Sequence, residues 1–162
     1  TFELKVRDKA ELDRGTDWQC PWPLPNVWLG TSIENRRYVD RADALRETHA
    51  AIRFISAEPL LGPLIRPDSY YAYSAGPSSG AWPDDYLGPE LDLWHIDWLI
   101  VGGESGPKHR PIEKEWVRDL CQAALARHTA FFFKQWGGHQ PGSNGRELDG
   151  RTWDQMPTTE AA

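Results

Sequence analysis

Four short apolar runs stand out along the chain, and each breaks off into small, acidic or amide residues. They are Val27–Leu29 running into Gly30-Thr31-Ser32-Ile33-Glu34-Asn35, Ile52–Ile55 running into Ser56-Ala57-Glu58-Pro59, Trp98–Val101 running into Gly102-Gly103-Glu104-Ser105, and Ala130–Phe133 running into Lys134-Gln135-Trp136-Gly137. Runs that are apolar nearly throughout suit strands of a parallel sheet buried on both faces. In such sheets ligands bind beyond the carboxyl ends of the strands. The intervening segments carry helical spacing. Asn35 is placed to cap a helix over about 36–48, with Tyr38, Ala42 and Leu45 on one side. Ile112, Trp116, Leu120 and Ala124 share one face of a helix over about 113–127. Strand, helix and strand in succession predict right-handed βαβ units and an α/β class. The architecture is then an open parallel sheet of four to five strands with flanking helices, or a partial (β/α) barrel, because so few units cannot close an eight-stranded barrel.

The rest of the chain is less periodic. Residues 1–6 alternate weakly, as a short strand would, and 7–14 have room for one or two helical turns. Cys20-Pro21-Trp22-Pro23-Leu24-Pro25 reads as an extended lead-in, since proline lacks the N–H that a helix interior or central strand needs. Residues 66–90 form a loop insertion longer than the usual connection in a compact domain, to be read as a lid, an insertion or a disordered stretch. Its Tyr70, Tyr71, Tyr73, Trp82 and Tyr86 argue against a purely solvated linker, because disordered segments are poor in aromatics. Residues 137–162 form an irregular carboxyl-terminal tail with turns at Pro141-Gly142 and Asn144-Gly145. All 162 residues together read as a single α/β domain.

Composition removes several classes of function. A net charge of -6 and a pI near 5.3 disfavour nucleic acid as a partner, since affinity for phosphates comes largely from Lys and Arg. The two cysteines, Cys20 and Cys121, belong to no CxxC cluster, so a disulfide scaffold is disfavoured and a cytoplasmic location expected. No basic stretch followed by an apolar segment opens the chain, and no apolar run approaches the ~20 residues of a membrane span, so no membrane partner is expected. His109 and His139 lack HxxxH or HExxH spacing, so no metal is assigned. There is no GxSxG elbow of the hydrolase type. Nine tryptophans supply large contact areas, for core filling or for an interface.

If the four runs are parallel neighbours, their ends gather Ser32, Glu34, Asn35, Ser56, Glu58, Gly102, Gly103, Glu104, Ser105, Lys134, Gln135 and Trp136 at one rim. Several carboxylates beside one lysine suit an ammonium group, ribose hydroxyls or proton transfer with shifted pKa values. The plainer alternative is that Glu34 and Glu58 only cap following helices, worth about 0.3–1 kcal/mol each. Gly102-Gly103-Glu104-Ser105-Gly106 lets backbone approach a ligand closely, or is simply a tight turn. It matches neither a Walker loop nor GxGxxG.

Four ordered strings carry a more specific likeness: Asn26-Val27-Trp28-Leu29-Gly30-Thr31-Ser32-Ile33-Glu34-Asn35, Arg53-Phe54-Ile55-Ser56-Ala57-Glu58-Pro59-Leu60-Leu61-Gly62-Pro63-Leu64, Asp97-Trp98-Leu99-Ile100-Val101-Gly102-Gly103-Glu104-Ser105-Gly106 and Phe132-Phe133-Lys134-Gln135-Trp136-Gly137. From about Pro23 to Met156, outside the tyrosine-rich insertion, the chain resembles a phage-associated family of unknown function. Full-length members of that family are similar to radical-SAM proteins and carry three clustered cysteines near the amino terminus. The resemblance implies a partial (β/α) barrel that, at full length, binds an iron–sulfur cluster and S-adenosylmethionine at the strand carboxyl ends. A cluster of that type needs three cysteine thiolates, which Cys20 and Cys121 do not provide, so no cofactor is expected in this chain by itself. Three functional expectations follow: a radical-SAM-like barrel fragment without catalysis of its own; a module that binds a host protein in the host cytoplasm; or the carboxyl-terminal half of a complete radical enzyme. The chain is then a fragment or a naturally shortened product. An exposed sheet edge would suit strand addition by a host protein or self-association.

Overall fold

A computed structural model of the chain describes residues 22–65 and 90–158. Its centre is a four-stranded sheet of β1 (Trp28–Ser32), β2 (Ile52–Ala57), β3 (Trp98–Gly102) and β4 (Ala130–Gln135). The spatial order is β1-β2-β3-β4 and every neighbouring pair is parallel. Helix α1 (Arg41–Glu47) joins β1 to β2, and α2 (Lys114–Ala126) joins β3 to β4. This is the expected α/β class, as an open sheet with no closed barrel.

Crossovers between parallel strands are right-handed, so an order that never reverses sends every helix to the same face. The burial pattern agrees. Ile55, Ala57, Leu99, Val101, Phe131 and Phe133 alternate along β2–β4 and form one buried cluster with Ala42 and Leu45 of α1 and Val117, Leu120, Cys121 and Ala124 of α2. The intervening residues point the other way. There Trp98 stands edge-on to Trp28 at 5.9 Å and to Phe132 at 6.0 Å, with Phe54 tilted against it at 6.0 Å. These four rings form a half-buried row on the face that carries no helix among the described residues. The expectation of strands buried on both faces is therefore met fully on one side only.

Local departures from the sequence reading have physical causes. Asn35 does act as a cap, its side chain accepting from the Arg37 amide, but it caps only a 3-10 turn over Arg36–Tyr38, and the α-helix starts afresh at Arg41. The buried stripe of α2 is Val117, Leu120, Cys121 and Ala124, one position round from the expected face, and Trp116 is half-buried at its border. The tail is more ordered than expected. Glu147–Leu148 and Arg151–Thr152 pair as the hairpin strands β5 and β6. Asp149 and Gly150 between them both have positive φ, 54° and 75°, which a two-residue hairpin turn of this hand requires. Beyond β6 the chain covers the outer edge of β4: Phe133 N donates to Trp153 O at 3.0 Å, and Gln155 N donates to Phe131 O at 3.1 Å. The outer edge of β1 carries no strand among the described residues. The weak strand and helical turns expected over 1–14, Cys20, and the insertion from 66 to 89 lie outside those residues.

Opposite faces of one strand should respond differently to truncation. Leu99→Ala, in the fully buried layer, is expected to cost about 2–5 kcal/mol, whereas Ile100→Ala, the next residue on the open face, costs less than about half as much. Urea unfolding midpoints of the two variants check this.

Candidate functional site

The carboxyl ends of all four strands lie along one edge, because the sheet is parallel throughout. The chain leaving β2 is stitched to both neighbouring strand ends there. Leu60 N donates to Gly102 O at 2.9 Å, and Leu61 N donates to Glu34 O at 2.8 Å. This path lays the Glu58 side chain across Gly102, where a methyl group would collide with its carboxylate. Lys134 reaches the same carboxylate from β4, its Nζ 3.2 Å from Oε1, and Ser56 Oγ sits 3.4 Å from Oε2. Ser56, Glu58, Gly102 and Lys134 thus form one cluster on the open face, just beyond the aromatic row.

The other expected rim residues fall into two further groups. Gln135 Nε2 donates to Ser105 Oγ at 2.9 Å, and Gln135 Oε1 accepts from the Gly142 amide at 2.9 Å. Gly103 N donates to Gln135 O, and a methyl group on Gly103 would run into the Trp136 carbonyl, so strand ends and tail meet there in backbone contact. Trp136 packs edge-on against Phe133 at 4.6 Å and donates its indole N–H to Glu147 O, which makes it an anchor for the tail. Beyond β1, Arg41 Nη1 donates to Ser32 O at 2.8 Å and stands 3.7 Å from the Glu34 carboxylate. Asn35 is engaged in its capping bond.

Glu104 meets none of the other expected carboxylates. It takes a bidentate grip from Arg110, whose Nε and Nη2 lie at 2.8 and 2.9 Å, and it also accepts from the Arg110 amide at 2.8 Å. Those bonds, the side-chain ones first, hold its carboxyl down at about 2. The same pattern recurs along the edge. Glu34, Glu58 and Glu104 have side chains 26%, 19% and 28% exposed, while their partners Arg41, Lys134 and Arg110 are 43%, 57% and 59% exposed. Each carboxylate is turned inward and each cation outward. Arg41 and Arg110 were missed by sequence reasoning, because the chain reaches each of them from its carboxylate through turns and not along one helix or strand.

Cys121 is the cysteine among the described residues, and burial pushes its thiol up to about 11. It is therefore neither a thiolate nor at the rim. No group of three or more metal-ligating side chains occurs among the described residues. No helix among them is long and apolar enough to cross a membrane.

Fold and rim together define an α/β protein with a parallel, singly wound sheet and a polar cluster at its carboxyl edge. The chain belongs to the family described as "Protein of unknown function (DUF5131)", whose model matches residues 3–157. No curated protein and no solved structure matches it.

Two outcomes test this geometry. The folded Glu104 carboxyl titrates near 2 against an ordinary value of 4.5, so its stabilisation is complete above pH 4.5 and is lost as pH falls through about 2. Glu104→Gln should accordingly flatten the fall of thermal midpoint between those values relative to the parent chain. Gly103→Ala should also destabilise more than Gly102→Ala, because its methyl meets backbone while the other meets the movable end of Glu58; unfolding midpoints compare the two.

Proposed function

We propose that the chain is a radical-SAM-like (β/α) scaffold of a phage-associated protein, that its carboxyl rim binds a nucleoside-type ligand such as S-adenosylmethionine, and that it performs no catalysis by itself. The observation that carries this reading is the Ser56–Glu58–Lys134 cluster above Gly102, set at the end of an open aromatic row. A carboxylate and a hydroxyl suit ribose hydroxyls or an amino-acid ammonium, the rings of Phe54 and Trp98 suit a purine face, and Gly102 leaves room for close approach. Lys134 already neutralises Glu58, but an ion pair this exposed is worth about 0–1 kcal/mol, so a bound ammonium can displace it.

The residues that fit the nucleoside do not fit an iron–sulfur cluster. Such a cluster needs several cysteine thiolates, and the described residues offer one buried, protonated thiol. S-adenosylmethionine, where bound, supplies a sulfonium group; what this chain contributes is binding and orientation.

A second reading has its own observation. The row of Trp28, Phe54, Trp98 and Phe132 is only half-buried, and the outer edge of β1 has no strand beside it among the described residues. Aromatic surface beside an open strand edge supports docking of a host protein in its cytoplasm.

Isothermal titration with S-adenosylmethionine tests the leading reading. Saturable binding is expected, weakened at least about tenfold, or 1.4 kcal/mol, in Glu58→Gln. Absence of heat up to about 1 mM ligand, a range that already admits weak complexes, overturns the ligand assignment. Anaerobic reconstitution with iron and sulfide should leave no stable cluster in the absorption spectrum, and a cluster that supports cofactor cleavage overturns the noncatalytic part.

A further inference from the structure

At the opposite, amino-terminal edge of the sheet lies a cleft of about 730 Å³. Its walls are the starts of β2 and β4, the segment from Trp94 to Asp97 that leads into β3, the end of α2 with the turn Arg127–His128, and the tail over Gln155–Thr158. The volume is in the range of small-molecule sites, roughly 300–1,000 Å³. It shares no residue with the carboxyl rim.

The polar groups on its floor are satisfied. Thr129 Oγ1 donates to Ile96 O at 2.8 Å, and Asp97 Oδ2 accepts from the Arg53 amide at 2.7 Å. The mouth is different. Trp94, Leu125 and Met156 are each about half exposed, and together with Trp22 they are the large apolar side chains left exposed among the described residues. Three of those four surround one opening, a clustering that marks ligand or partner surfaces, whereas single exposed apolar residues need no explanation.

A cation stands beside the aromatic ring. The Arg127 guanidinium lies 5.7 Å from the Trp94 ring centroid, and its contact to Asp92, at 3.7 Å, is longer than a hydrogen bond. The guanidinium therefore keeps donors for an anion.

The backbone supplies an independent pointer. His95 and His128 both line the cleft, and both have φ of 57°, in the left-handed region. His128 occupies the position just past the end of α2, where Thr129 N donates back to Ala124 O and glycine is the usual residue. Glycine enters this region more readily than a residue with a side chain, and side-chain-bearing residues held there cluster at functional sites. Two imidazoles thus stand at one opening beside a guanidinium and an indole. His95 already packs edge-on against Trp94 at 4.7 Å.

We propose that this cleft is a second ligand site, specific for a planar aromatic anion, in which Trp94 stacks the ring and Arg127, flanked by His95 and His128, pairs with its carboxylate or phosphate. An aryl anion satisfies indole and guanidinium together, which neither an aliphatic anion nor a neutral arene does. The site is independent of the rim and stands whether or not the rim binds a nucleoside.

Titration of the full chain with 2-naphthoate, followed by calorimetry, tests it. The expected result is saturable binding with Kd below about 1 mM. Binding should weaken at least tenfold in Trp94→Ala, in Arg127→Gln, and in the parent chain when neutral 2-naphthalenemethanol replaces the anion. The comparison of the two probes needs only the parent chain, so it stands if a variant fails to fold. A 2-naphthyl phosphate titration separates the anion types: tighter binding of either ester or acid than of the neutral arene supports the site. No saturation by either anion, equal binding of the neutral analogue, or full affinity in both folded variants overturns it.

Discussion

The order of the sheet constrains everything else in this protein. Four parallel strands laid side by side in chain order, with right-handed crossovers, leave no choice about where the helices go. Both fall on one face, where their stripes close over Ile55, Leu99, Val101, Phe131 and Phe133. The opposite face carries no helix among the described residues, and its rings pack mostly on one another. A doubly wound sheet would reverse direction and open a crevice at the switch point. A singly wound one has no such crevice, and the loops gathered at its carboxyl edge occupy the place where barrels built on the same repeat bind their ligands.

At that edge the acidic residues do not behave as an acidic site. Each of Glu34, Glu58 and Glu104 is matched by a cation that is more exposed than itself, so the surface offered outward is ammonium and guanidinium. The three pairs differ in strength. Arg110 grips Glu104 in a fork with an added amide, which fixes the loop after β3. Lys134 lies 3.2 and 3.4 Å from the two Glu58 oxygens, and Arg41 stands 3.7 Å from Glu34. Glu58 is held only by an ammonium and a hydroxyl rather than by a guanidinium fork, and it is also the one that lies over a glycine.

Much of the fold was legible because apolar runs of strand length report parallel burial directly, and because Val117, Leu120 and Ala124 repeat at helical spacing. The four strand ends were legible for the same reason. What the pattern did not carry was pairing between side chains brought together by turns. Nothing in the separation of Glu104 from Arg110, or of Glu34 from Arg41, marks them as partners. The break between Tyr38 and Arg41 was hidden too, since Asn35 satisfies capping chemistry for a 3-10 turn as well as for a helix. The hairpin at Asp149-Gly150 did have a signal, an acid–glycine pair between short runs, overshadowed by the glycine-rich composition around it.

The two ends of the sheet also differ in how they use unusual backbone. At the carboxyl edge the left-handed positions Gly106, Gly137 and Gly138 belong to glycine, and Gly137 and Gly138 sit where strand ends and tail crowd together. At Gly137 and Gly138 the absence of a side chain is the requirement, whereas Lys108 and Asp149 take positive φ in exposed turns. At the amino edge the corresponding positions are His95 and His128, with open space in front of them. There His95 gains an edge-on contact with Trp94 at 4.7 Å, and the ligand proposed for the cleft would use both imidazoles. The cleft they face is therefore a place where side-chain chemistry, rather than backbone economy, decided the residue.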